Sequence, residues 1–360
     1  MPLKFRKVLI ADERYESAGV FDVNGDGVPD IVSGAFWYEG PDFRVKHRLG
    51  TVQAVDEYFD DFSTIALDIN GNGRLDFVTG GWWGNTLRWR ENPADPAQEW
   101  PEHIIAQTGS IETTRAWDVD GDGRVELVPN TPGGPLVVYR LALGADGRPS
   151  GRFAAHRIWE GAQGHGLGFG DVTGNGRGDF ILAGGWLEAP ADPWHGEWRL
   201  HPDFDLGVAS VPILVVDVNG DGLNDLIVGQ AHGYGLDWWE QRVDGAGHRS
   251  WLRHPIDPYN SQYHDMQWVD LDRDGAPELV TGKRYRAHCD NDPGAHDDVG
   301  LYYFKWNGES FSKQVIDYGP PRVGKGCGIH FAIADLNGNG WLDVVAPGKD
   351  GLYVFYNEGP

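Results

Sequence analysis

Residues 217–225 read DVNGDGLND, and the same nine-residue pattern recurs as DVNGDGVPD (22–30), DINGNGRLD (68–76), DVDGDGRVE (118–126), DVTGNGRGD (171–179), DLDRDGAPE (270–278) and DLNGNGWLD (335–343). Seven copies at intervals of 46 to 65 residues mark a repeat architecture. Oxygen-bearing side chains fill positions 1, 3, 5 and 9, and glycine holds position 6, where a sharp turn would fold those oxygens around one cation. Position 1 is Asp22, Asp68, Asp118, Asp171, Asp217, Asp270 and Asp335; position 3 is Asn24, Asn70, Asp120, Thr173, Asn219, Asp272 and Asn337. Position 5 is Asp26, Asn72, Asp122, Asn175, Asp221, Asp274 and Asn339; position 9 is Asp30, Asp76, Glu126, Asp179, Asp225, Glu278 and Asp343. The pattern opens like an EF-hand loop but lacks the glutamate at position 12 and any flanking helical periodicity. It is flanked instead by apolar, β-branched runs, VPILVV before and DLIVG after the copy at 217, so each loop is expected to hold Ca²⁺ and to join two buried strands.

A second repeat sets the topology. The aromatic-led segments FRVKHRL (43–49), WPEHIIA (100–106), FAAHRIW (153–159), WRLHPDF (198–204), WLRHPID (251–257) and FSKQVID (311–317) read as amphipathic outer strands. Six such segments follow seven loops. The seventh, FRKVLIA (5–11), stands at the N-terminus, and the chain ends on a third-strand pattern, GLYVFYNEG (351–359). A ring closed by the N-terminal strand in the last blade accounts for that offset and leaves no free sheet edge. The expectation is an all-β, seven-bladed propeller of four-stranded blades forming one domain over residues 1–360.

Composition agrees with this reading. The formal net charge of −24 contains the twenty loop carboxylates, and seven calcium ions would return fourteen positive charges. That acidity excludes nucleic acid as a partner. No stretch approaches the roughly 20 apolar residues of a membrane span. Two cysteines, Cys289 and Cys327, define no disulfide framework. Loops of this short kind suit a calcium-rich, extracellular or periplasmic setting if a signal has been removed, and a cytoplasmic one otherwise. Calcium affinity is expected to follow loop charge, highest for the four-carboxylate loops at 118 and 270.

Aligning the blades on the first Asp of each loop separates ordinary histidines from informative ones. His47, His103, His156, His201 and His254 belong to the outer-strand repeat and are expected to face solvent. Six residues before each loop, where the innermost strand begins, stand Glu16, Phe62, Glu112, His165, Val211, His264 and Ile329, with Asp265 and His330 one place later. Fifteen residues after the same Asp stand Trp37, Trp83, Gly133, Trp186, His232, Tyr285 and Asp350. Both sets should meet on the face opposite the calcium loops. His165, His232 and His264, from consecutive blades, can converge on one transition metal of the Zn²⁺ type. The alternative is that these histidines hydrogen-bond neighbouring strands. Trp37, Trp83, Trp186 and Tyr234, with Glu16, are candidates to hold a sugar, or else pack the blades. An unusually long connection, GKRYRAHCDNDPGAHDDVG (282–300), opens from the same face and can serve as a lid, as a second metal site, or as a mere excursion of the chain.

The loops resemble those of FG-GAP or VCBS-type propellers, known from integrin α-subunits and secreted bacterial proteins. ERYESAGVFDVNGDGVPDIVSGAFWYEGPDF (13–43), the mouth histidines and LVTGKRYRAHCDNDPGAHDDVGLYYF (279–304) further resemble the propeller domain of the aldos-2-ulose dehydratases. That family dehydrates keto-sugars such as 1,5-anhydrofructose with a metal in the propeller cleft. Its fungal member adds cupin domains with a second metal and an isomerising step, and a lectin-like domain; this sequence shows none of them. The resemblance therefore implies only the elimination half-reaction on a carbohydrate substrate. The expected roles are His165, His232 and His264 on the metal, His330 or Tyr285 as base, and Glu112, Asp265 or Lys283 on substrate hydroxyls. The same site could eliminate an alkoxide from a keto- or uronic-acid glycoside. The rival reading is a non-catalytic propeller that binds glycan or protein through this face.

Overall fold

The apolar runs on either side of each nine-residue loop pair with each other. In blade 5, Leu214–Val216 and Asp225–Gly229 run antiparallel with Val215 opposite Leu226, and the loop at 217 is the turn between them. The computed structural model describes residues 2–360 and repeats this unit as seven four-stranded antiparallel sheets. It adds one small hairpin, Ala54–Val55 with Tyr58–Phe59, between blades 1 and 2. The chain is all-β and forms a seven-bladed propeller. Second strands are buried throughout, as in Asp76–Gly80 and Glu126–Asn130, whereas outer strands alternate, as in Arg249–Pro255. This is the signature of sheets packed against neighbours and wet at the rim.

Closure follows the expected route. Phe5–Ala11 pairs antiparallel with Leu352–Asn357, with Phe5 opposite Asn357 and Val8 opposite Val354, and supplies the fourth strand of blade 7.

The ninth loop residue fixes each blade internally. In blades 1, 2, 4, 5 and 7 it is an aspartate of at most 0% exposure whose two oxygens accept different backbone N–H groups. Asp179, for example, accepts from Val172 at 2.9 Å, on the loop just after the first strand, and from Ala189 at 2.8 Å, just beyond the third strand. Burial pushes Asp76, Asp179, Asp225 and Asp343 up to about 6 despite these donors. In blades 3 and 6 the residue is glutamate, and only one oxygen takes backbone donors, from Val119 to Glu126 and from Leu271 to Glu278.

The outer-strand histidines are not simply solvated. His47, His103, His201 and His254 stack on Trp37, Trp89, Trp186 and Trp238 of the third strand at 4.1–4.4 Å, and each reaches a glutamate two residues further along it, Glu39, Glu91, Glu188 or Glu240. The ring covers an indole that a bare strand would expose, and the carboxylate satisfies its nitrogen.

Deleting residues 1–11 should break the ring, causing aggregation or a loss of several kcal/mol, roughly 10 °C in Tm at about 2–4 °C per kcal/mol; thermal melting checks this. Asp179→Ala in calcium-free buffer should leave two backbone donors unpaired at about 1–3 kcal/mol each, read as a lower urea midpoint.

Candidate functional site

On the face opposite the loops, the first strands begin and the connections from second to third strands rise. Glu112 directly precedes the first strand of blade 3, His165 lies two residues before that of blade 4, His264 lies within the first strand of blade 6, and His232 sits on the second-to-third connection of blade 5. Their side chains meet. His232 Nε2 is 3.1 Å from His165 Nε2, His264 Nε2 is 2.9 Å from Glu112 Oε1, and His165 Nε2 is 3.3 Å from the same oxygen. The four residues form one metal-capable group.

The hydrogen bonds around the group fix which atoms point inward. His165 Nδ1 lies 2.7 Å from the Ala209 carbonyl, which can only accept, so Nδ1 carries the proton. His232 Nδ1 donates in the same way to Asp292 Oδ2 at 2.8 Å. Both imidazoles therefore turn bare Nε2 lone pairs toward each other and toward a carboxylate oxygen. Burial, with His165 and Arg284 nearby, pushes His232 down to about 4, so a second proton on its ring does not relieve the conflict. Burial also holds His264 well below its usual range, Arg284 adding to it against Glu112. Glu112 stays well below the carboxylate range because His165 and His264 outweigh its burial. Acceptors within 2.9–3.3 Å of one another, with too few protons between them, are what a cation bound by nitrogen and oxygen requires, and a tetrahedral zinc site with bonds near 2.0–2.1 Å has ligand separations of about 3.3 Å. The residues fit a transition metal.

Glu112, expected on substrate hydroxyls, stands beside the three histidines in the group that could hold a metal. Glu112, His165 and His232 line a cavity of about 570 Å³, with His264 buried behind them. Tyr58, Phe62, Trp82 and Trp83 make one wall, and Arg284, Ala287 and His288 from the long connection make another. Tyr58 and Trp83 are 4.8 Å apart and tilted at 43°.

The long connection is tied down over the mouth. Arg286 forms a paired salt bridge with Glu57 on the small hairpin, both contacts at 2.8 Å. Lys349 donates to the Arg286 carbonyl at 2.6 Å, and the Tyr58 hydroxyl donates to the Ala287 carbonyl. Asp292 then bridges two rings, accepting from His232 through Oδ2 and from His288 Nδ1 through Oδ1, both at 2.8 Å. His288 stacks on His232 at 4.0 Å and 3° and remains half exposed, facing the cavity.

Several sequence-based expectations are corrected. Trp37 and Trp186 are 2% and 1% exposed inside blades 1 and 4. In those blades the second-to-third turn is only two residues, Gly34-Ala35 and Ala183-Gly184, so the fifteen-residue offset overshoots the mouth and lands on the third strand. Trp83 does line the cavity. Tyr234 stands on the rim, donating to Asp297 at 2.6 Å. Glu16 is 2% exposed, bound in a forked pair by Arg284 at 2.8 and 3.2 Å, and is not among the cavity-lining residues, so it does not meet a sugar there. Lys283 is buried and holds the long connection through the Gly294 and Asp297 carbonyls. Tyr285 is not among the cavity-lining residues.

Asp265 and His330 belong to the channel below the cup. A β-bulge between Tyr263 and Met266 lets His264 face the metal group while Asp265 turns to Arg115, 2.6 Å away, and accepts from Phe331 N–H at 2.8 Å. Burial pushes Asp265 up to about 6 against the pull of Arg115. Burial, then Arg115, push His330 down to about 3, and it accepts from Thr64 N–H at 3.4 Å.

Sequence reasoning missed Arg284, which the buried acids Glu16 and Glu112 demand as a counter-charge, and the hairpin that carries Tyr58. It singled out His288 only as part of the long connection.

A family model described as FG-GAP-like repeat matches residues 68–129 and 217–281. The chain carries FG-GAP-like repeats. The matched segments include the loops at 68, 118, 217 and 270. Among solved structures the chain is similar to BBS1N in its complex with ARL6DN, at 12% identity over 98% of this chain and 96% of that one, with a TM-score of 0.56. It is also similar to a lectin of Agrocybe aegerita described for recognition of non-reducing terminal N-acetylglucosamine, at 15% identity over 99% and 94%, with a TM-score of 0.49. At such identities the first likeness shows the fold alone. No curated protein matches the sequence.

Asp292→Ala should free the His232 ring and lower transition-metal affinity by about 10–100-fold with the fold intact, as measured by competition with a chromogenic chelator.

Proposed function

We propose that the protein is a metal-dependent carbon–oxygen lyase that removes water, or an alkoxide, from the position β to the carbonyl of a keto-sugar. The observation that carries this reading is the convergence of Glu112, His165, His232 and His264, three of which line a sugar-sized cavity, beside a histidine still open to it. A cavity of about 570 Å³ lies within the ~300–1,000 Å³ of small-molecule sites.

A bound transition metal would supply a Lewis acid for the substrate carbonyl, stabilising negative charge at that oxygen by several kcal/mol. His165, His232 and Glu112 reach the cavity wall, so a substrate oxygen can approach the group from that side. His288 has the second role. Its Nδ1 is held by Asp292, which leaves Nε2 to take the proton from the carbon α to the carbonyl. As the Cβ–O bond breaks, its electron pair leaves with the oxygen, the C–H pair becomes the new double bond, and the proton passes to the departing hydroxide to give water. A positioned acid–base group of this kind contributes typically 10²–10⁴ in rate. His288 replaces His330 and Tyr285 in the role expected from sequence. Tyr58, Trp82 and Trp83 offer faces on which a pyranose ring can stack, and Arg284 is a donor for its hydroxyls.

The aromatic wall equally supports a second reading, a glycan-binding platform without turnover. His264→Ala separates the two. Under the lyase reading it abolishes stoichiometric transition metal and the rise of enone absorbance from 2- or 3-keto-sugars, while circular dichroism and calcium content stay unchanged. Full turnover in the variant, or a metal-loaded parent that binds sugars and converts none, would leave the binding platform as the function.

A further inference from the structure

The seven loops are of two kinds. In blades 1, 2, 4 and 5 the third-strand residue opposite position 9 is a glutamate, Glu39, Glu91, Glu188 or Glu240, turned toward its outer-strand histidine; in blade 7 it is Tyr356. In blades 3 and 6 it is basic, Arg140 and Lys305. Arg140 Nη2 lies 2.8 Å from Asp120 and 2.7 Å from Asp122, and its Nε is 3.6 Å from Glu126. Lys305 Nζ contacts Asp272, Asp274 at 2.8 Å and Glu278 at 3.2 Å. In each case one side chain of the protein touches the carboxylates at positions 3, 5 and 9, three of the four side chains expected to surround calcium. Among the described residues, no Lys or Arg pairs with a loop carboxylate of the other five blades.

The sequence changes in concert with this. Blades 3 and 6 are the two with aspartate at position 3 and glutamate at position 9. The longer glutamate spends one oxygen on the backbone and turns the other to the cation, where the aspartates of the other blades spend both on backbone N–H groups. The carboxylates of these two loops do gather closely enough to hold a cation, Asp118, Asp120 and Asp122 in blade 3 and Asp270, Asp272 and Glu278 in blade 6, and the positive charge they gather around is a side chain of the same blade.

We infer that the loops of blades 3 and 6 are closed by Arg140 and Lys305 in place of calcium, and that calcium enters only the other five. This reverses the affinity order expected from loop charge. It also has a bearing on the upper face. The first strands of blades 3 and 6 lead from Glu112 and His264 down to these two loops, six residues away in each case. The two most deeply buried members of the metal group thus sit on blades whose lower turns hold without a diffusible ion.

The test is calcium stoichiometry of the full-length protein, stripped with a chelator, resaturated and counted by native mass spectrometry, which involves neither the upper site nor any activity. The parent should bind five calcium ions. Arg140→Gln and Lys305→Gln should each gain one, and the double variant two, whereas the charge-retaining Arg140→Lys and Lys305→Arg should gain none. Circular dichroism identifies folded variants. Six or seven ions in the parent, or folded glutamine variants with an unchanged count, would overturn the inference. If neither glutamine variant folds, the parent's count decides: five ions support the inference and any other count overturns it.

Discussion

The buried carboxylate at the ninth loop position is the constraint on which each blade depends. Asp343, for example, ties the end of its first strand to the end of its third by accepting from Leu336 and Asn357 at 3.0 and 2.7 Å. A buried N–H without a partner costs about 1–3 kcal/mol, so the chain can turn at this point only if an acceptor is built in. Once seven turns are fixed on one face, chemistry is left to the opposite ends of the strands, where nothing demands a repeated residue.

That division explains what could be read from the sequence. The loops, the blade count and the N-terminal closure were legible because the same backbone requirement is met seven times. His165 and His264 were legible because they share an address at the start of the first strand. The fifteen-residue address crosses a connection of variable length, so it found His232 and Trp83 on the longer connections but misplaced Trp37 and Trp186, where the turn is two residues. Asp265 was misassigned because a bulge inserts a residue and sends neighbouring side chains to different partners. Glu112 and Arg284 depend on contacts between blades distant in sequence, which no local pattern records. The role of His288 follows from one carboxylate, Asp292, that serves two rings at once.

The upper site is a product of ring closure as much as of its own residues. Glu112 comes from blade 3, His264 from blade 6, and Glu16 of blade 1 holds the Arg284 that also faces Glu112 at 3.6 Å. Arg286 and Glu57 then lock the long connection of blade 6 to the hairpin beside blade 2. The acids and bases of the cup are thus neutralised across the ring rather than within a blade, and the charge pattern itself opposes any opening of the circle.

The Arg115–Asp265 pair gives the cup a bottom. The guanidinium leaves the first strand of blade 3 and reaches both Asp265 of blade 6 and the Val211 carbonyl of blade 5, lying across the axis beneath the metal group. One side chain thus joins three blades, 3, 5 and 6, through a charged contact in which Asp265 is fully buried, so a shift of any one of these blades would have to break a pair that neither partner can replace with water.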